Sequence, residues 1–324
     1  MSRSVSHNSN VRYYLKSGLN ELLPRVWWDI DRRLLFKRLG EQGIRSLQDR
    51  VKYYNRLSVP VTLPETSAPI GSLRKGRRGS VYFFDARAVI RYFPPHLRAE
   101  FRFGDVTEVP PVPAMLKSRP VAGDNTNSVL LKLEQNRHFN FISDPVPFSG
   151  KKDLLIGYAA VNQEHRRRFY RQYFNHPRCV LGQINKGTQH DEWCRPKITI
   201  REHLDYKFIL CLEGYDVASN LKWVMSSSSL AVMPEPTYET WFMEGTLLPG
   251  VHYVPIRKDF SDLEEKLEYY STHPAEAMKI IRNANQYTKQ FLHADAEKAI
   301  GLMVMHQYFS MTGQELPPLF PDTL

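Results

Sequence analysis

Between residues 204 and 256 the chain alternates short apolar runs with turn chemistry, in an order that few folds accept. Phe208-Ile209-Leu210-Cys211-Leu212 is a continuous apolar run, as a strand buried on both faces carries. Glu213-Gly214-Tyr215-Asp216 follows, a polar turn with a glycine where the backbone bends or approaches something closely. Ser219 or Asp216 is placed to cap the next segment, 220–225, whose apolar spacing suits a helix. Then come the run Leu230-Ala231-Val232-Met233, a loop around Pro234 and Pro236, a short helix over 238–244 and a last apolar run over 251–256. Strand, glycine turn, helix, strand, helix, strand is the grammar of a parallel α/β unit. Ligands of such units sit at the carboxyl ends of the strands, where a helix N-terminus favours phosphate. The site is therefore expected around 213–220.

The rest of the chain supplies elements around that unit. Residues 1–12 are polar and expected to be loose. Leu19, Leu22, Leu23, Trp27, Ile30, Leu34 and Leu35 recur at helical spacing over 18–39, with an interruption at Pro24, and 43–56 reads as a second amphipathic helix. Asp29-Ile30-Asp31 has the Asp-x-Asp form that holds metal and nucleotide in many sugar transferases. On a helix, however, positions i and i+2 point to different faces and cannot converge on one ion. From Gly79 the pattern reads as β-rich: Ser80-Val81-Tyr82-Phe83-Phe84 as a strand, 86–92 as either state, then an alternating stretch from Glu100. Asp105 falls where that strand gives way to a proline-containing loop, a common position for a catalytic carboxylate, with Glu108 as the nearest substitute. Arg119, Asp124 and Asn127 sit in a polar loop suited to sugar hydroxyls or simply to solvent.

Residues 144–150 read as a linker between two halves, 1–150 and 151–324. The second half opens with a strand over 151–158 and a helix over 163–174, whose first turns carry Arg166, Arg167 and Arg168 and whose start offers the amides of 160–162 to an anion. A further strand spans 179–184. His190 and Cys194 have a metal-compatible spacing, but two ligands do not make a site. Residues 259–265 look like a capped helix start, and two more helices follow from His273 and Ala294.

With 324 residues, 42% hydrophobic and 24% charged, the chain has the composition of an ordinary globular protein with a sizeable core. No apolar run is long enough to span a membrane, and the N-terminus lacks the core of a secretory signal, so a cytoplasmic protein is expected. Three cysteines, Cys179, Cys194 and Cys211, suit a reducing compartment. The net charge of +10 calls for an anionic partner: nucleic acid, anionic lipid or a phosphorylated sugar. The cluster Arg74-Lys75-Gly76-Arg77-Arg78 suits solvent, a phosphorylated acceptor or, peripherally, the inner membrane surface.

Glu213-Gly214, Ala218-Ser219-Asn220-Leu221-Lys222, Val251-His252-Tyr253-Val254-Pro255-Ile256 and Asp259, in that order, resemble glycosyltransferase family 90. That group holds bacterial lipopolysaccharide core glycosyltransferases and animal protein O-glucosyltransferases, and EGYDVASNLKW and MPEPTYETWFMEG are closer to the bacterial branch. The resemblance implies a GT-B-like α/β fold, two Rossmann-like halves facing across a cleft: an acceptor-side domain over 1–150 and a nucleotide-sugar domain over 151–324, the last helix packing back on the first half. It also implies an inverting, metal-independent hexosyl transfer from a UDP-sugar to a lipopolysaccharide core or other surface glycan, with no cofactor.

By the same resemblance Gly104-Asp105-Val106-Thr107-Glu108-Val109-Pro110 matches the segment that supplies the catalytic base in the animal enzymes, which makes Asp105 the base. Arg166 falls where an arginine pairs with the donor diphosphate. Gly214, Asp216, Ala218, Ser219 and Asn220 form the turn that receives the diphosphate, and Lys222 or Lys186 replaces the arginine that animal relatives carry at Asn220. Glu213 or Glu239 accepts hydrogen bonds from ribose or sugar hydroxyls. One departure stands out: Tyr158-Ala159 occupies the place of the family's Arg-Gly.

Such a reaction needs a base for the acceptor hydroxyl, stabilisation of the departing diphosphate, and alignment of both reactants. Two other classes compete with this reading. A basic protein rich in Tyr and Phe fits a nucleic-acid-binding module, but no RNA-recognition fingerprint, zinc finger or basic helix is present. A catalytically inactive family member acting as a scaffold is motivated by Tyr158-Ala159.

Overall fold

The computed structural model describes residues 10–75, 80–187 and 190–320; residues 1–9 and the Gly76-Arg77-Arg78-Gly79 part of the basic loop lie outside them. In chain order the helices are α1 (Asn10–Asn20), α2 (Arg25–Tyr54), α3 (Ser80–Ile90), α4 (Gln135–His138), α5 (Glu164–Tyr173), α6 (Ile200–His203), α7 (Leu221–Met225), α8 (Leu263–Thr272), α9 (Pro274–Lys289) and α10 (Ala294–Met311). The strands are β1 (Glu100–Arg102), β2 (Ala114–Leu116), β3 (Ser118–Pro120), β4 (Ser128–Leu130), β5 (Lys152–Ala159), β6 (Cys179–Gln183), β7 (Tyr206–Leu210), β8 (Leu230–Met233), β9 (Tyr238–Thr240) and β10 (Val254–Pro255). The chain divides into two units: one is His138–Thr237 with Glu244–Gln290, and the other joins the described residues before His138 to Tyr238–Met243 and to the residues from Phe291 onward.

The first unit is built on a parallel sheet in the order β10-β8-β7-β5-β6. Numbered along the chain, its strands run 2-1-3-4-5 from the β6 edge, a doubly wound order. Every residue of β8 is buried, as are Phe208, Ile209 and Leu210 of β7, which is why these segments read as unbroken apolar runs. Phe169 of α5, Leu263 and Leu267 of α8 and Ile280 of α9 join the same core. α6 starts with a capping box: Thr199 accepts from the Glu202 amide while the Glu202 carboxylate accepts from the Thr199 amide.

The second unit pairs a three-stranded parallel sheet, β1-β2-β4, with the antiparallel pair β3-β9 and the helices α1, α2, α3 and α10. α2 buries Leu35, Phe36, Ile44, Leu47, Val51 and Tyr54 and bends at Gly40, whose φ of +65° breaks the helical conformation without cost to a side chain. The expected helices over 18–39 and 43–56 are thus joined into one kinked element, and Pro24 separates α1 from α2 as expected. Helix α1 already includes residues 10–12, which the sequence reading left loose. Tyr54 stacks on Trp241 with ring centroids 3.8 Å apart, and the Trp241 indole donates to Glu297 of α10 at 2.8 Å.

Local expectations fail in four further places. Residues 80–84 are helical: Tyr82, Ala86 and Ile90 recur at i, i+4 and i+8 and are buried, so packing overrides the β-preference of Val-Tyr-Phe-Phe. Residues 238–240 form strand β9 because they pair antiparallel with Ser118-Arg119-Pro120, a long-range partner that local pattern does not reveal. The N-cap position of α7 is held by Asn220, not by Ser219 or Asp216, and no side chain caps it; at α8 the Asp262 carboxylate accepts the Arg257 amide at 2.8 Å and caps nothing. Among the described residues no helix is long and apolar enough to cross a membrane.

Candidate active site

In a 2-1-3-4-5 sheet the crevice opens where the strand order reverses, between β5 and β7. The carboxyl ends of these two strands deliver Ala159-Ala160 and Leu212-Glu213-Gly214 to the same edge. One side chain from α5 spans them. Arg166 donates from Nη1 to the Ala160 carbonyl (2.8 Å), from Nη2 to the Leu212 carbonyl (2.7 Å) and from Nε to the Glu213 carbonyl (2.8 Å). His165 Nε2 lies 2.8 Å from the same Glu213 carbonyl. A Cβ on Gly214 would meet Arg166 Nη2 at 3.5 Å, an ordinary contact, so the space at this turn does not itself demand the glycine expected there for a bend or close approach. The Glu213 carboxylate accepts from the amide (2.9 Å) and hydroxyl of Thr237, which anchors the loop on its other side.

Past this turn Tyr215 is exposed, Asp216, Val217 and Ala218 are buried, and Ser219 and Asn220 lie between. Asn220 Nδ2 donates to the Leu210 carbonyl at 2.9 Å, closing the loop onto the end of β7. Lys222 is withdrawn from solvent entirely: its ammonium pairs with Glu244 Oε1 at 2.5 Å, both side chains essentially unexposed. Its charge thus sits inside the fold, whereas Lys186 is exposed. At the start of α5 the Val161 amide donates to Asn185 Oδ1 at 2.8 Å. Glu164 in the first turn pairs with Arg167 and Arg171 and is thereby held below the usual carboxylate range.

Tyr158, where the resemblance leads one to expect an arginine, lies over Gly182 of β6: a Cβ there would come 2.7 Å from Tyr158 Cδ1. Its ring meets His203 edge-on at 5.9 Å, and His203 meets Trp223 at 5.5 Å. Burial pushes the Tyr158 hydroxyl up and the His203 imidazole down.

Asp105 and Glu239 belong to the other unit. Asp105 follows β1 by way of Gly104, whose φ of +117° only glycine adopts readily, and it is exposed. Its carboxylate pairs with the buried ammonium of Lys117, which also reaches Glu134 Oε2 at 3.2 Å. Lys117 escaped the sequence reading, because nothing in its local pattern marks it. Glu239 is fully buried, accepting from Arg119 Nε at 2.8 Å, from Arg56 at 3.3 Å and from the Tyr53 hydroxyl. Arg119 spends its remaining reach on the carbonyls of Tyr53 (2.6 Å), Ser128 (3.1 Å) and Tyr54 (3.3 Å).

Arg119 and Glu239 therefore form a core ion pair and present nothing to a sugar. Asp124 accepts the Thr126 amide at 3.0 Å, and Asn127 donates to the carbonyls of Pro110 and Pro111 at 3.1 Å, so both shape their own loops. Asp29 faces Arg32 at 3.6 Å, and Asp31 is held by Tyr92 (2.5 Å) and Lys298.

A parallel sheet with a strapped, glycine-containing loop at its switch point is the layout of a ligand-binding α/β unit. Residues 151–314 match the model of Glycosyl transferase family 90, and the chain belongs to that family: it is a glycosyltransferase. It is 41% identical to O-glucosyltransferase LpsA of Dichelobacter nodosus over 307 residues, 93% of this chain and 95% of the relative. Similarity to animal proteins is shorter. It is 27% over 124 residues with Protein O-glucosyltransferase 2 of Danio rerio, covering 38% of this chain and 23% of that one. With Protein O-glucosyltransferase 3 of Homo sapiens it is 29% over 104 residues, covering 32% and 20%.

Proposed function

We propose that this glycosyltransferase moves a hexose from a UDP-sugar to a lipopolysaccharide core or another surface glycan, inverting the anomeric centre without a metal or cofactor. The observation that carries the reading is the Arg166 strap, which fixes the loop 213–220 at the end of β7, where a diphosphate is expected to sit. Loop amides face the leaving group while the arginine keeps a positive charge behind them. Lys222 supports this site from within the fold through its buried pair with Glu244. Asp105 takes the proton of the acceptor hydroxyl as that oxygen attacks the anomeric carbon, and UDP departs with the electron pair of the broken bond. The reading includes the family's GT-B arrangement, with 1–150 and 151–324 facing across a cleft, and a cytoplasmic enzyme working at the inner membrane surface. The first rests on the resemblance, the second on the composition and charge of the chain.

The test is a donor screen by UDP release, with truncated lipopolysaccharide core as acceptor, run beside Asp105→Asn. Turnover in the wild type and a loss of at least about a hundredfold in the variant are expected; equal rates would remove Asp105 from the reaction. UDP binding without turnover of any donor would favour the scaffold reading that Tyr158-Ala159 motivates.

A further inference from the structure

The first helices of the second unit carry a group of apolar side chains at the surface. Leu19 is 65% exposed, Leu22 79% and Trp27 58%, and Val26, Ile30 and Leu34 are about half exposed. They are not scattered. Val26, Ile30 and Leu34 recur at i, i+4 and i+8 on α2 with Trp27 beside them, while Leu35 and Phe36 on the opposite side are fully buried. Leu19 near the end of α1 and Leu22 in the turn before Pro24 are exposed just ahead of this stripe in the chain. A contiguous apolar stripe of this kind marks an interaction surface.

Charge decides the partner. The acids of this region are already neutralised within the fold: Glu21 by Arg87 and Arg91, Asp29 by Arg32, Asp31 by Lys298. Arg25, Arg33 and Lys37 are exposed and make no ion pair among the described residues. Arg33 and Lys37 lie seven residues after Val26 and Ile30, on the border of the apolar stripe. A second copy docked on this face would bring these cations against their own kind. An anionic lipid surface would accept the side chains into its acyl boundary and the cations among its headgroups.

We propose that the α1–α2 turn and the first half of α2 form an interfacial membrane anchor that takes anionic phospholipid. This deepens the proposed function by naming a docking surface, and it rests on that reading only for the purpose that docking serves. The basic loop at 74–78 is not needed for it.

The test is co-sedimentation of the full chain with vesicles of phosphatidylcholine alone, or with about a third phosphatidylglycerol, none carrying a glycan, so that its outcome is independent of the acceptor. The wild type is expected to pellet with the anionic vesicles and to be partly released by salt. The triple variant Leu22→Ser, Trp27→Ser, Ile30→Ser is expected to partition at least about tenfold less, with a thermal melt lowered by no more than about 5 °C because these side chains are about half exposed or more. Arg33→Glu with Lys37→Glu should abolish the preference for anionic over neutral vesicles. Wild-type protein that ignores both vesicles, or a triple variant that pellets like the wild type, overturns the proposal. So does sedimentation equilibrium without vesicles showing a wild-type dimer that the triple variant dissolves, which would give the face to a second copy.

Discussion

Arg166 and Leu212 come from different βα elements, yet Nη2 of one donates a 2.7 Å hydrogen bond to the main-chain carbonyl of the other. With its bonds to Ala160 and Glu213, this makes a single guanidinium responsible for the spacing between two central strand ends. Arg166→Ala should lower stability by about 2 kcal/mol through lost charge-assisted hydrogen bonds, and UDP affinity by at least about tenfold. Arg166→Lys should rescue little, because an ammonium lacks the planar fork that reaches three carbonyls. Urea unfolding and calorimetric UDP titration separate the effects; lost stability with unchanged affinity would detach the loop from the donor.

The buried pair of Lys222 and Glu244 joins α7 to the turn after β9. Lys222→Met alone leaves an uncompensated carboxylate in the core and should cost about 3–5 kcal/mol. Replacing both residues, Lys222→Met with Glu244→Leu, should recover most of that loss. Denaturation midpoints of the two variants decide the matter, and a single variant as stable as the wild type would show that the pair has no structural weight.

Gly182 and Tyr158 are a matched couple. Gly182→Ala forces the tyrosine ring aside and should cost about 1–3 kcal/mol. Adding Tyr158→Ala should reduce the cost of the Gly182→Ala step. A double-mutant cycle measures the coupling, and strict additivity would mean that the ring relaxes freely.

Burial pushes the Asp85 carboxyl up to about 7, against hydrogen bonds from the Gln135 amide and the Tyr13 hydroxyl that pull the other way. The folded state therefore holds a proton that the unfolded chain releases at its ordinary value of 3.8. This contribution to stability is complete below the unfolded value, declines as pH rises and is gone above the folded one. Relative to Asp85→Asn, the wild type should lose about 2–4 kcal/mol between roughly pH 4 and 7 and nothing further above that. Parallel urea titrations at stepped pH give the difference, and a flat difference would show that Asp85 is ionised throughout.

The parallel unit was legible because its central strands are buried on both faces, so 208–212 and 230–233 announce themselves locally, whereas of the run 251–256 only Val254-Pro255 is a strand, at the edge of the sheet. What escaped was set by distant partners. Tyr238-Glu239-Thr240 became a strand only through Ser118-Arg119-Pro120, and that pairing also took Glu239 out of reach of any sugar. Helix α3 was hidden behind a β-favouring composition that its buried face overrides. The position of Arg166 was readable, but its three carbonyl partners were not, since carbonyls carry no sequence signal. Lys117 and Glu244 matter only because of what they meet across the fold.

The second unit is discontinuous: α10 packs on α2 within it, though some 240 residues separate the end of α2 from the start of α10 along the chain. As the polypeptide leaves the ribosome, the parallel sheet can close once residues near 290 emerge, while the earlier helices wait for a partner not yet made. The segment synthesised first is therefore among the last to settle, and nascent α2, its apolar sides uncovered, is the part of the chain most in need of a chaperone.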